Sequence, residues 1–189
     1  MIEVLDVAAA RKAVAAGVLR CPCGGRLRAW GHARSRTVRD LTELFQVRPD
    51  RTRCRDCRAT HVLLPAQLLA GRAYTLGVIG AVLLGAARGQ GYRRLATRWE
   101  IPAATVRSWL RRARANAEPL RRIGVDIVVA VDAELLPTRA HPSRLAEALE
   151  ALAAAALAVA RRFAGDEFEL WPIIGMITRG RLLASRAPA

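Results

Sequence analysis

The chain has a single lysine, Lys12, and the rest of its 31 basic residues are arginine. Acidic residues are scarce as well, 16 in 189, which leaves a formal net charge of +15. Aromatic residues make up 5%, so few rings are available to stack unpaired bases; recognition of duplex RNA by shape is not excluded by this. The most apolar window, Leu76–Ala87, has 12 residues, too few to span a bilayer. No basic segment precedes an apolar run at the N-terminus, so no secretory signal is read there, and a soluble cytoplasmic protein is expected, placed at the nucleoid and away from membranes. Neither the GQG of Gly89–Gly91 nor CPCGG forms a phosphate-binding glycine loop. The three histidines, His32, His61 and His141, have no serine or cysteine spaced as a nucleophilic partner. Internal repeats and low-complexity linkers are missing too.

What is present is charge in one place. Met1–Leu19 is neutral, Arg20–His61 carries net +7, Val62–Arg122 net +9 and Ile123–Ala189 net −1. A codon bias that enriches arginine and alanine would act along the whole length. The excess lies instead in the first two thirds, which points to a polyanion partner for that part, and arginine's planar fork suits phosphate.

The four cysteines form two close pairs, Cys21/Cys23 and Cys54/Cys57, separated by thirty residues. In a reducing compartment such pairs hold metal more often than they form disulfides. Two tight turns with two thiolates each satisfy the tetrahedral preference of Zn²⁺, and Gly24 and Gly25 let amides turn toward sulfur. All four positions would then be filled, making the ion structural. A segment of this length buries too little apolar surface to fold unaided. The first knuckle, Cys-Pro-Cys, is one residue shorter than Cys-x-x-Cys, which leaves open a strained site, weaker metal binding or an additional ligand, His32 or His61; the plain alternative is a redox pair or buried thiols. Segments such as RLRAW, RTVRD and LFQVRPDRTR can supply strands, which gives the layout of a small β zinc ribbon over 20–65.

Before it, Glu3–Gly17 reads as a helix, giving an N-terminal helical segment over 1–19. After it, 70–123 reads as a three-helix core. Leu76, Ile79, Leu83 and Leu84 lie on one helix, Leu95, Ala96 and Trp99 share a face of a second, and Val106, Trp109 and Leu110 recur at i, i+3, i+4 on a third. Pro102 suits the start of that third helix, and Ile101 fills the turn. This is a helix-turn-helix pattern. Between Tyr92 and Ala115, seven arginines stand against Glu100 alone, whereas a merely solvated face mixes signs. Ala103, Ala104, Thr105, Arg107 and Ser108 can approach base edges, with Arg107 placed for guanine. Arg93, Arg94, Arg98, Arg111, Arg112 and Arg114 are expected on phosphate. Glu100 stands at a turn position where glycine is common.

The final region, 124–189, reads as helical, for packing or interaction. Val125–Val131 reads as a partly exposed connector. Ser143 caps a helix to about Phe163, stopped by Gly165, with a seam of Leu145, Leu149, Leu152, Ala156, Val159 and Phe163. That seam packs within the chain or forms a homodimer through 143–163; the first is preferred because alanine-rich helices approach closely. Asp126, Asp132 and Glu134 suggest the carboxylates of two-metal strand transfer, but only 57 residues follow Asp132 and most read as helix, so no enzyme is expected.

Cysteine knuckles followed by CRDCRATHVLLPA and GYRRLATRWEIPAATVRSWLRRARA resemble a family of actinobacterial helix-turn-helix proteins associated with mobile elements. The order is also similar to the N-terminal DNA-binding part of some insertion-sequence transposases. The resemblance covers Arg20 to about Ile123. It implies binding of double-stranded DNA at an element end or operator, and zinc at Cys21, Cys23, Cys54 and Cys57. A mainly α, zinc-stabilised DNA-binding protein is therefore expected, linked to a transposon or acting as a regulator. The alternatives are a subunit that recruits a recombinase or transposase, and a truncated transposase with residual catalysis.

Overall fold

The computed structural model describes residues 1–137, 139, 141–163 and 169–184. The expected stop at Gly165 lies outside them. The chain divides into two compact units, Met1–Thr75 and Leu76–Ala189. The first carries six strands and one helix and the second is helical, so the protein is helix-rich with a small sheet.

The first unit opens with β1 (Ile2–Val4), where a helix was expected from Glu3. Three residues are too few to show a period of two, and the partner strand lies some sixty residues away. Helix α1 (Val7–Ala15) begins only after Asp6, whose carboxylate accepts from the amides of Ala8 and Ala9. It ends ahead of Gly17, which sits at φ +71 with Arg26 packed where a Cβ would stand. There follow β2 (Leu27–His32), β3 (Arg36–Arg39), β4 (Leu44–Val47), β5 (Asp50–Cys54) and β6 (Thr60–Pro65). The sheet order is β1-β6-β5-β2, with β1 parallel to β6 and the other pairs antiparallel, while β3 and β4 pair separately. Side chains alternate across each strand. Leu27, Cys54 and Leu63 therefore join Val4, Ala10, Val14 and Cys21 in one core under α1. Val38, Leu64 and Leu68 form a second, smaller core with Phe45 and Val47. The expected boundary at residue 65 falls short, since the unit runs on to Thr75, whose hydroxyl donates to Asp40 at 2.6 Å.

In the second unit, α2 (Leu76–Ala87) is apolar along its length and buries Leu76, Val78, Ile79, Val82 and Leu83. Gly80 is required there, because the indole of Trp171 occupies the space of any Cβ. Helices α3 (Tyr92–Trp99) and α4 (Ala103–Ala115) follow where the apolar spacing put them. Helix α5 (Ala117–Val131) crosses the expected boundary at Ile123. The run Val125–Val131 is thus helical and no connector. Gly124 explains it: a Cβ there would stand 2.5 Å from the carbonyl carbon of Ala151, so its absence lets α5 lie close along α6 (Arg144–Phe163), and this packing overrides the β-branched preference of the run. Ser143 caps α6, its hydroxyl accepting from Ala146 at 3.2 Å. Leu145, Leu149, Leu152 and Ala156 of the seam are buried inside the unit, whereas Phe163 is exposed. Helix α7 (Leu170–Ile177) ends in left-handed Arg179 and Gly180, and Leu182 and Leu183 tuck back into the core.

Candidate functional sites: a four-cysteine centre and an arginine-bearing helix

Both cysteine turns are closed by backbone hydrogen bonds. In the first, the Cys21 amide donates to Gly25 and the Gly24 amide returns to Cys21, at 2.9 and 2.8 Å. In the second, the Cys54 amide donates to Ala59 at 2.9 Å. A third bond, from the Arg55 amide to the Arg26 carbonyl at 2.9 Å, ties one turn to the other. Gly25 is enclosed so tightly that a Cβ would come within 2.6 Å of the Cys54 sulfur and 2.4 Å of the Asp56 carboxylate.

All four sulfurs then lie within 4.8 Å of one another, with Cys21–Cys57 and Cys23–Cys54 both at 3.6 Å. That is far beyond a disulfide bond, and the four thiols are free. A tetrahedral ion with metal–sulfur bonds of about 2.3 Å needs sulfur–sulfur edges of about 3.8 Å. The donor set fits, and its all-thiolate chemistry suits a thiophilic ion. The short Cys-Pro-Cys knuckle still brings Cys23 into the group. Cys21 and Cys54 are buried, Cys23 and Cys57 exposed.

The cluster differentiates its thiols. The Gly25 amide and then the neighbouring Cys57, Cys21 and Cys54 sulfurs lower Cys23 to about 7. At Cys21 the Cys23 amide pulls the other way, but desolvation and the three neighbouring thiols outweigh it and raise the group to about 12. His61 Nε2 lies 3.2 Å from the Cys21 sulfur, beside the four-thiol group, and burial lowers the imidazole's pKa. Of the two histidines considered as ligands, His32 is elsewhere, paired with Asp50 at 3.2 Å. Among the described residues this is the one cluster of three or more side chains able to hold a metal. Asp126, Asp132 and Glu134 are not assembled: Asp126 is exposed on α5, Asp132 caps it and faces Arg161 at 3.8 Å, and Glu134 lies in the next turn.

The arginine-bearing helix α4 stands on α3 across a three-residue turn. Glu100 adopts the left-handed region, φ 50, and Ile101 donates to Ala96 at 3.0 Å. Beneath, Leu95, Ile101, Val106, Trp109 and Leu110 are buried. The opposite side carries the arginines. Arg93, Arg94, Arg98, Arg107, Arg111 and Arg114 are exposed, as are Ala103 and Ala104, while Thr105 and Ser108 are half-buried. Arg93 and Arg98 lie over the rings of Tyr92 and Trp99, at 5.7 and 5.6 Å. Arg112 differs from the rest. It is half-buried and donates to the Leu183 carbonyl at 3.4 Å, which directs it into its own unit and away from the exposed arginines. Farther on, Arg121 and Arg122 are both taken up by Glu118, at 3.0 and 2.9 Å.

Arg28, Trp30 and Arg53 were not singled out from the sequence. Only the pairing of β2 with β5 puts them together, and the signal that could have found them, alternation in RLRAW opposite DRTRC, has no meaning until the register is known.

A family model described as a domain of unknown function (DUF6431) matches residues 21–109, from the first cysteine to Trp109 in α4. No curated protein and no solved structure matches the chain.

Proposed function

We propose that this chain is a zinc-stabilised DNA-binding protein, in which the four cysteines hold Zn²⁺ in a small β zinc ribbon and α3 and α4 act as a helix-turn-helix. The observation that carries the reading is the outward side of that helix pair. Six exposed arginines stand there with Glu100 as the single acid from Tyr92 to Ala115, over a buried base of Val106, Trp109 and Leu110. A surface of like charges is costly to hold together and is relieved by a polyanion. Exposed Ala103 and Ala104 at the start of α4 leave room for close approach to a groove, and Arg107 has the length and fork to meet a guanine edge. Zinc would be structural: with four thiolates bound no position is open for substrate, and the ion supplies folding energy to a unit whose cores are small. The resemblance to mobile-element proteins supports a place at a transposon end or an operator.

Fluorescence anisotropy of labelled duplex DNA, titrated over a range of salt concentrations, tests this. Wild type is expected to bind with a steep salt dependence. Arg107→Ala/Arg111→Ala is expected to weaken binding, and each phosphate left without its arginine flattens the log–log salt slope by about 0.9. Binding indifferent to both arginines removes α4 from the interface.

A further inference from the structure

On the first unit a second set of cations is held in place without acids. In the β2–β5 ladder Arg28 stands directly opposite Arg53. Like charges at opposed positions repel, so a sheet that keeps this pair needs something to hold it. Trp30 does so: the guanidinium carbons of Arg28 and Arg53 lie over its ring, 4.7 and 4.8 Å from the centroid. The indole is itself 43% exposed, and β2 is the outer strand of its sheet, open to solvent from Arg28 to His32. Arg53 also donates from Nε to the Arg58 carbonyl at 3.3 Å, which fixes its stem and leaves the terminal nitrogens.

The same strands show what happens where an acid is at hand. Asp50, the single acidic residue of β2 and β5, accepts from Arg11 and lies 3.2 Å from His32. It is thereby spent. Arg28 has no hydrogen bond or ion pair among the described residues, and its stacking on Trp30 is its partner. Arg51 and the exposed Arg55 and Arg58 continue the positive charge along β5 and the turn after it.

We infer that the Arg28–Trp30–Arg53 face is a phosphate-binding surface of the first unit that takes the backbone of duplex DNA separately from α4. Two guanidiniums preset by one ring lose little freedom on gripping phosphate, and the fork of each matches two phosphate oxygens. The surface reads no bases: its donors are charged ends on a flat sheet edge, suited to a backbone and not to a groove edge. The inference rests on the DNA-binding reading for the identity of the polyanion alone.

The test uses the full metal-loaded chain with three probes: a labelled duplex of arbitrary sequence, the corresponding single strand, and polyglutamate. Arg28→Ala/Arg53→Ala is expected to flatten the log–log salt slope on duplex by about two and to weaken binding on the order of tenfold at moderate salt. Trp30→Phe, which keeps a ring, is expected to lose less than Trp30→Ala. Bound metal per chain and near-ultraviolet circular dichroism report whether each variant is folded; Arg28→Gln/Arg53→Gln replaces the alanine pair if it is not. If the Arg28/Arg53 variant binds duplex within twofold of wild type while Arg107→Ala/Arg111→Ala fails to bind, the inference is overturned and the reading of α4 stands. The reverse pattern overturns the role of α4 and keeps this surface. Loss confined to polyglutamate makes the face an acidic-protein site, and loss confined to the single strand makes Trp30 a base-stacking ring; either overturns the proposal. No duplex binding by wild type overturns both.

Discussion

The two units solve the same problem, how to hold a chain so rich in arginine in one shape, by opposite means. The second does it with close contact. Ala148, Ala151, Ala155, Ala156, Ala158 and Ala160 of α6 are all buried, and Gly124 lets α5 lie almost backbone to backbone against it. Small side chains lose little rotamer entropy on burial, and the large ones, Trp109, Leu152 and Leu182, fill what remains. The first unit has two small cores and four thiols brought to one point. Where apolar burial is abundant the fold tolerates long helices with arginines outside; where it is scarce two turns fix four thiols at one point.

The largest expected effect is removal of the metal proposed for the four thiols. A structural site of four thiolates contributes on the order of 10 kcal/mol. Chelation, or Cys54→Ser, is expected to unfold the first unit, with loss of its amide resonances, while the helical signal of the second persists. Resonances of β2, β5 and β6 unchanged after complete chelation would reject the dependence. Next is Gly124→Ala. Helix propensity alone favours alanine by about 1 kcal/mol. Contact with the Ala151 backbone predicts the opposite, a net loss of about 1–3 kcal/mol from overpacking. Thermal unfolding of the second unit decides the sign, and bound metal should not change.

The smallest effect is electrostatic and sharpens the contrast on the helical side. Hydrogen bonds from Arg121 and Arg122 lower the Glu118 carboxyl from 4.5 to about 2. A depressed acid stabilises the fold above its unfolded pKa, and that contribution disappears as pH falls from about 4.5 towards 2. Glu118→Gln is therefore expected to lower the midpoint of thermal unfolding slightly at pH 7. The difference from wild type should close as the pH falls through that window. Glu118 and Arg121 are half-buried and Arg122 is exposed, so solvent screens the group and a shift of several degrees would mean that Glu118 does more than hold two arginines.

Much of the helical unit was legible because its periods are local. Leu95, Val106 and Leu110 announce their helices over a few residues, and Ser143 marks the start of α6. The cysteine pairs were legible for a different reason, the small number of chemistries that such spacing serves. What escaped depends on distant partners. β1 is a strand because β6 accepts it; Val125–Val131 is helical because Ala151 leaves room at Gly124. Arg112 differs from Arg111 through Leu183, and Arg28 meets Arg53 through a register that neither stretch declares. The candidate DNA-facing residues were identified by type and spacing, and their exposure needed the fold.

One joint has a mechanical consequence. Asn116 ends α4 and begins α5, and its side-chain Nδ2 donates to the carbonyls of Arg181 and Ala184 at 3.5 and 2.9 Å, next to the Arg112–Leu183 bond. Three hydrogen bonds thus clamp the far end of α4 to the Arg181–Ala184 segment, while at its start Ala103 and Ala104 stand exposed after the turn at Glu100. The helix is tied at its far end by hydrogen bonds and along its underside by the buried Val106, Trp109 and Leu110. A disturbance of that short segment would loosen α4 first at its base, beside Arg111 and Arg114, while the packed underside keeps the first turn in place.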